Sequence, residues 1–151
     1  MATTRIIAMH RNKGCTVEQA LKARLDYIKN PEKTREGELV TAFACHAATA
    51  DAEFALARKE YFEITGRWRE DEVIAYQIRQ SFKPGEVTPE EAHQIGIELA
   101  QRFLKGNHAF VVATHTDKEH MHNHLEWSAV TLDGMGKFRN FLGSGRAVAR
   151  L

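Results

Sequence analysis

The chain reads as an α+β protein in which helices pack on a mainly antiparallel central sheet, and three observations lead there. Segments with period-two strand alternation and segments with a period-3.6 apolar stripe take turns along the chain. Two helix starts are signalled by capping boxes, Thr16-Val-Glu-Gln19 and Thr88-Pro-Glu-Glu91. The last two strand patterns follow one another without a helix between them, which makes them a hairpin. The resulting order, β-α-β-α-β-α-β-β, is that of helices sandwiched on a sheet.

Each element has its own justification. Thr4 to His10 is the first strand. Thr16 opens helix one, whose stripe is Val17, Ala20, Leu21, Leu25 and Ile28, and Asn30-Pro31 ends it because the residue before proline is pushed out of helical geometry. Leu39 to Cys45 is the second strand. Helix two begins near Thr49 or Asp51 and carries Phe54, Ala57, Tyr61 and Ile64 on its stripe, with Gly66 as its closing residue. The third strand lies within Asp71–Phe82. Helix three starts at Thr88 with Pro89 in its first turn, packs through Ala92, Ile95, Leu99 and Phe103, and stops at Gly106-Asn107. Ala109–Ala113 and Leu125–Val130 supply the final pair of strands.

A length of 151 residues, 43% of them hydrophobic and 27% charged, is one domain with enough apolar surface to bury a core unaided. No apolar run approaches membrane-spanning length and no secretory pattern opens the chain, so a soluble cytoplasmic protein without membrane insertion is expected. Cys15 and Cys45 fit neither a metal spacing nor a disulfide framework and are read as free thiols. The net charge of +1 says little, but its distribution says more. Residues 1–35 hold eight Lys/Arg against three Asp/Glu, residues 135–151 hold four and none, and the middle is acidic. Basic ends that converge in space would form a phosphate-binding face; ends that do not are ordinary solvated surface.

Four of the eight histidines fall within His115-Thr-Asp-Lys-Glu-His120-Met-His122-Asn-His124. Alternation on a strand puts His122 and His124 on one face, with Asn123 turned away. His115, at the end of the preceding strand, can return across the turn as a third metal ligand. His120 shares the strand parity of His122 and His124 and is the alternative third ligand. A three-histidine site with open coordination positions suits catalysis more than structure. The bland alternative is a solvated, histidine-rich turn.

Of the three tyrosines, Tyr61 lies on an apolar stripe and Tyr76 within a strand pattern, so both read as core. Tyr27 sits off the stripe of helix one among Lys22, Arg24, Lys29, Lys33 and Arg35, where a phenol can meet a phosphodiester.

These residues carry a resemblance. His115-x-Asp117-x4-His122-x-His124 resembles the third motif of the plasmid-mobilisation relaxases of the HUH endonuclease superfamily. Leu25-Asp-Tyr27-Ile-Lys-Asn-Pro-Glu-Lys-Thr34 is similar to their first motif, and Gln80-Ser-Phe-Lys-Pro-Gly-Glu86 to their second. Three motifs in order point to MOBP-type relaxases of Gram-positive conjugative elements. The resemblance implies a palm-like relaxase fold over residues 1–151, as the N-terminal part of a longer protein. It implies that Tyr27 attacks a phosphodiester at a transfer origin, oriT, in single-stranded DNA, leaving a free 3′-hydroxyl and a 5′-phosphotyrosyl link. Asp117 would orient a ligand histidine or accept the tyrosine proton. A divalent metal, Mg²⁺ or Mn²⁺, would be held by His115, His122 and His124, with Mn²⁺ or another transition metal the better match to imidazole.

DNA contacts are expected from Arg24, Lys29, Lys33 and Arg35, from Gln80, Ser81 and Lys83, and from Lys137 and Arg139. Relaxosome accessory proteins and a type IV coupling protein are the partners implied, with export on the transferred strand. Two departures stand out: Ser128 replaces a common asparagine, and Gln77 replaces an expected histidine. Glu126, on the face of His122 and His124, can compensate or shift metal preference, and with His120 and Ser128 makes up the expected outer shell of the site. The rivals are a rolling-circle replication initiator, which generally places its tyrosine after the histidines, and a non-catalytic metal- or DNA-binding module.

Overall fold

The computed structural model describes residues 3–10, 14–67 and 73–138. Its elements are β1 (Thr3–His10), α1 (Val17–Ile28), β2 (Val40–Phe43), α2 (Ala50–Thr65), β3 (Val73–Ser81), α3 (Pro89–Leu104), β4 (Phe110–His115) and β5 (His122–Ser128). The alternation expected from the sequence is present, and the five strands form one sheet in the order β1-β3-β5-β4-β2 with every neighbour antiparallel. β5, the last of the described strands, is therefore the central one.

Both capping boxes form. The Thr16 hydroxyl accepts from Gln19 N–H at 3.1 Å while Gln19 Oε1 accepts from Thr16 N–H at 2.9 Å, and Thr88 and Glu91 exchange the equivalent bonds at 3.1 Å each. Each box satisfies two donors that a helix start would otherwise leave bare. α2 begins differently. A 3₁₀ turn, Ala47–Thr49, leads into it, and Thr49 donates to the Glu53 carboxylate instead of capping the helix. Ile64, expected on the buried stripe, is exposed, because the inner side of α2 runs through Ala50, Phe54, Ala55 and Tyr61.

The sheet separates two apolar layers. On one face α1 and α2 bury Leu21, Leu25, Ile28 and Phe54 against Ala75, Val111 and Ala113. On the other, α3 packs Leu99, Ala100 and Leu104 on Ile78, Val112, Leu125 and Trp127. Complete burial of each large side chain contributes about 1.5–3 kcal/mol. Alternation along β5 then sends Leu125 and Trp127 to the α3 side and His122, His124, Glu126 and Ser128 to the α1 side.

Candidate functional site

The β4–β5 hairpin brings the histidines together. His115 is the cross-strand partner of His122, and Ala113 that of His124, so all three imidazoles stand on the α1 face of the sheet. Their nitrogens lie within 4.8 Å of one another, and all three side chains are buried. Each ring is held by a partner on its outer nitrogen. His115 Nε2 donates to the Ile28 carbonyl at 2.8 Å, at the C-terminal end of α1. His122 Nδ1 lies 3.3 Å from the His120 carbonyl. The amide of Gln77 sits 2.8 Å from His124 Nδ1, and a side-chain amide can present its oxygen or its nitrogen there. With the oxygen turned in, His115 Nδ1, His122 Nε2 and His124 Nε2 keep free lone pairs. Among the described residues, His115 Nδ1 and His124 Nε2 are buried atoms without a hydrogen-bond partner.

Such orphans are costly unless a ligand uses them. Burial pushes all three imidazoles below their ordinary range, His124 to about 2, and the positive charge of Arg79 adds to the effect. Neutral rings with fixed tautomers are the form that binds a transition metal. The donor set therefore fits a divalent cation with an imidazole preference.

The bond from His115 to Ile28 also delivers the tyrosine. Tyr27 precedes Ile28, is 45% exposed, and sets its ring centroid 5.7 Å from His115 and 5.9 Å from His124. Lys33 Nζ lies 4.7 Å from the centre of the Tyr27 ring and 4.0 Å from Asp117 Oδ2. The loop after α1 is pinned to β4 by Thr116 N–H to the Lys33 carbonyl, 2.8 Å, and Thr114 N–H to that of Leu39, 2.9 Å. Tyr27 thus lies against the histidines, with Lys33 beside it and Asp117 beyond Lys33.

A polar network on the α3 face holds the hairpin in register. Thr114 and Asn123 are cross-strand partners lying between the histidine positions. The Thr114 hydroxyl donates to Asn123 Oδ1 at 2.6 Å, so Thr114 accepts from His93 Nδ1–H at 2.9 Å and His93 Nε2 accepts from Thr41 at 2.7 Å. Asn123 Nδ2 donates to Gln80 Oε1 at 2.9 Å and to the Ala92 carbonyl at 2.7 Å. A one-residue slip of β5 would turn His122 and His124 to the wrong face and break the three bonds made by Asn123.

Other residues singled out from the sequence take different places. Gln80 is buried in that network on the face away from the histidines; register, not motif membership, decides its side. Ser81, partner of His122, stays on the site face, and Lys83 is exposed just beyond it. Arg35 is ion-paired with Glu90, and Lys29 donates to the Ala47 carbonyl. Lys137 sits across from Val130, beyond the far end of β5, with Nζ 5.4 Å from the centre of the Tyr61 ring, so this part of the basic C-terminal stretch does not reach the histidines. Arg139 lies outside the described residues.

The expected outer shell is rearranged in the same way. The His120 side chain is exposed and offers the site its carbonyl rather than its ring. Ser128, about 13 Å along β5 from His124 at strand rise, accepts from Val130 N–H instead of approaching the site. Among the described residues no hydrogen bond joins Asp117 to a ligand histidine; Ile28, His120 and Gln77 do that work. Glu126 is fully buried with both oxygens unpartnered, and burial raises its carboxyl to about 8, leaving it neutral.

Sequence reasoning noted Gln77 only as a departure and passed over Arg79. Both share the parity of Ser81 on β3, which was the available signal.

Three histidines that could hold a metal ion stand on an antiparallel sheet with a half-exposed tyrosine ring against them. Residues 27–150 match the family model described as "Relaxase: MobA/VirD2-like, nuclease domain", and the chain belongs to that family. It is similar to Protein rlx of Staphylococcus aureus, 37% identical over 106 residues, covering 70% of this chain and 30% of the relative. A second Protein rlx from that organism is 47% identical over 72 residues, 48% of this chain and 22% of the relative. The group II intron-interrupted relaxase LtrB of Lactococcus lactis subsp. cremoris is 29% identical over 135 residues, 76% of this chain and 24% of LtrB. The chain thus spans less than a third of the length of these relatives. No described helix is long and apolar enough to cross a membrane.

Proposed function

We propose that this domain nicks single-stranded DNA at a transfer origin by transesterification through Tyr27, in the cytoplasm of a cell carrying a mobilisable element. The observation that carries the reading is the Tyr27 ring set against His115 and His124, 5.7 and 5.9 Å between centroids. A tyrosine in that position can attack a phosphorus whose oxygens face the histidines.

Tyr27 Oη forms the new bond to phosphorus, and the bond from phosphorus to the 3′-oxygen of the upstream nucleotide breaks in line with it. The phenol proton passes to Asp117, and the departing 3′-oxygen takes up a proton from solvent. The products are a 5′-phosphotyrosyl link and a free 3′-hydroxyl, and the reverse reaction restores the diester. Lys33, between Tyr27 and Asp117, contributes positive charge next to the phosphate. His115 Nδ1, His122 Nε2 and His124 Nε2 would hold a divalent cation, Mn²⁺ in preference to Mg²⁺ because imidazole suits the transition metal. When bound, such a cation polarises a phosphoryl oxygen and makes the phosphorus more electrophilic. The site positions a tyrosine rather than a water, so joining a supplied 3′-hydroxyl strand should outpace hydrolysis.

The test is incubation with Mn²⁺ and oligonucleotides tiled across the origin of the parent element, followed by denaturing electrophoresis. A covalent adduct that disappears in Tyr27→Phe supports the reading. A free 5′-phosphate product with turnover and no adduct means an ordinary metal-dependent nuclease.

A further inference from the structure

Arg79 is the one exposed residue within β3, whose other residues are buried or half-buried. It is the cross-strand partner of His124 on one side and of Arg5 on the other, so Arg5, Arg79 and the histidines share a face. Like charges directly opposed on a sheet repel, which a structural role would not favour. Neither guanidinium makes a hydrogen bond or ion pair among the described residues, and Arg79 stands directly opposite His124 in the register. Of the other cations near the site, Lys33 is engaged with Asp117, Arg35 with Glu90 and Lys29 with a carbonyl, while Arg24 stands exposed on α1 rather than on the sheet.

On this basis, and resting on the nicking reading above, we propose that Arg79, with Arg5 beside it, is a phosphate clamp for the DNA strand. Arg79 grips the non-bridging oxygens of the phosphate that Tyr27 attacks, and Arg5 holds its neighbour. A guanidinium offers two parallel donors to two oxygens, and it strengthens its grip as charge builds on them in the transition state. The placement also assigns a path. The strand crosses the sheet from β4 over β5 and β3 to β1, with Ser81 alongside, rather than following the hairpin. The repulsion between the two arginines is relieved when phosphate lies between them.

The test uses the 151-residue chain and the variants Arg79→Ala, Arg79→Lys and Arg5→Ala. With chelator present, binding of an oligothymidine of about 20 nucleotides is titrated from about 50 to 300 mM KCl. Each alanine variant should bind more weakly and lose about 0.7 from the slope of log K against log salt, the value for one phosphate contact on a single strand. With Mn²⁺ and saturating origin oligonucleotide, Arg79→Ala should form adduct about 100-fold more slowly, and Arg79→Lys should recover only part of the loss because an ammonium cannot grip two oxygens. Mn²⁺ affinity of Arg79→Ala, by calorimetry, should be unchanged or tighter, since a nearby cation is removed. An unchanged salt slope with an unchanged adduct rate overturns the clamp, as does metal affinity falling together with melting temperature, which marks a structural role. A wild-type chain that forms no adduct defeats the nicking reading instead, and the salt slope still decides the clamp.

Discussion

Replacing Gly96 by alanine sets two effects of opposite sign against each other. Gly96 lies in α3, where alanine is favoured over glycine by about 1 kcal/mol. A Cβ at this position, however, would meet Asn123 Nδ2 at 2.7 Å, Asn123 Cγ at 2.9 Å and Val112 Cγ1 at 3.0 Å. Asn123 cannot swing aside, because Nδ2 is committed to Gln80 and Ala92 and Oδ1 to Thr114. Either α3 lifts off the sheet or a buried amide loses a partner. Overpacking costs about 1–3 kcal/mol, and stranding one buried hydrogen-bonding group about 1–3 kcal/mol more. The net expectation is a loss of about 2 kcal/mol against the helix-propensity gain. Urea denaturation of the metal-free protein measures it, and calorimetry with Mn²⁺ should show weaker binding, since Asn123 stands between two ligand histidines. In an Asn123→Ala background the clash is gone, and the same substitution should become neutral or stabilising. A Gly96→Ala chain as stable as wild type would refute the argument that this glycine is there to admit Asn123.

Three further outcomes are expected. Tyr27→Phe should keep the melting behaviour within about 0.5 kcal/mol of wild type, because its ring is half-exposed, while losing all covalent adduct; an adduct mapped by mass spectrometry to Tyr61 or Tyr76 would overturn the assignment. Gln77→Ala frees the His124 ring and should weaken Mn²⁺ binding roughly 10–100-fold, whereas an unchanged isotherm would mean that Gln77 does not orient the ligand. Glu126 keeps its proton in the folded state up to about 8, while the unfolded carboxyl releases it near 4.5. Stability is therefore lost as pH rises through that window. Metal-free Glu126→Gln should gain on wild type by roughly 1.4 kcal/mol per pH unit there, and a pH-independent difference between the two would show that burial does not hold this proton.

What could be read along the chain was what depends on near neighbours. Capping at Thr16 and Thr88, the stripe of α1 and the paired orientation of His122 and His124 follow from side-chain chemistry and backbone period, which are local. The three motif histidines and Tyr27 were legible for the same reason, since each belongs to a short run with its own spacing. Lys137 could not be placed because it pairs with Val130, beyond the end of β5 away from His122. The side taken by Gln80 was not legible because only the pairing of β3 with β5 says which of Gln80 and Ser81 looks toward the histidines. Arg79 became visible only once β3 was seen to lie between β1 and β5, which sets it, exposed, beside His124. That His115 rather than His120 lies with His122 and His124 likewise follows from the hairpin register and from the Ile28 carbonyl, contributed from 87 residues away in sequence. Short-range pattern determines which face a residue takes within its own element; contacts between distant elements decide what that face meets, and the chemistry of this site is made of such contacts.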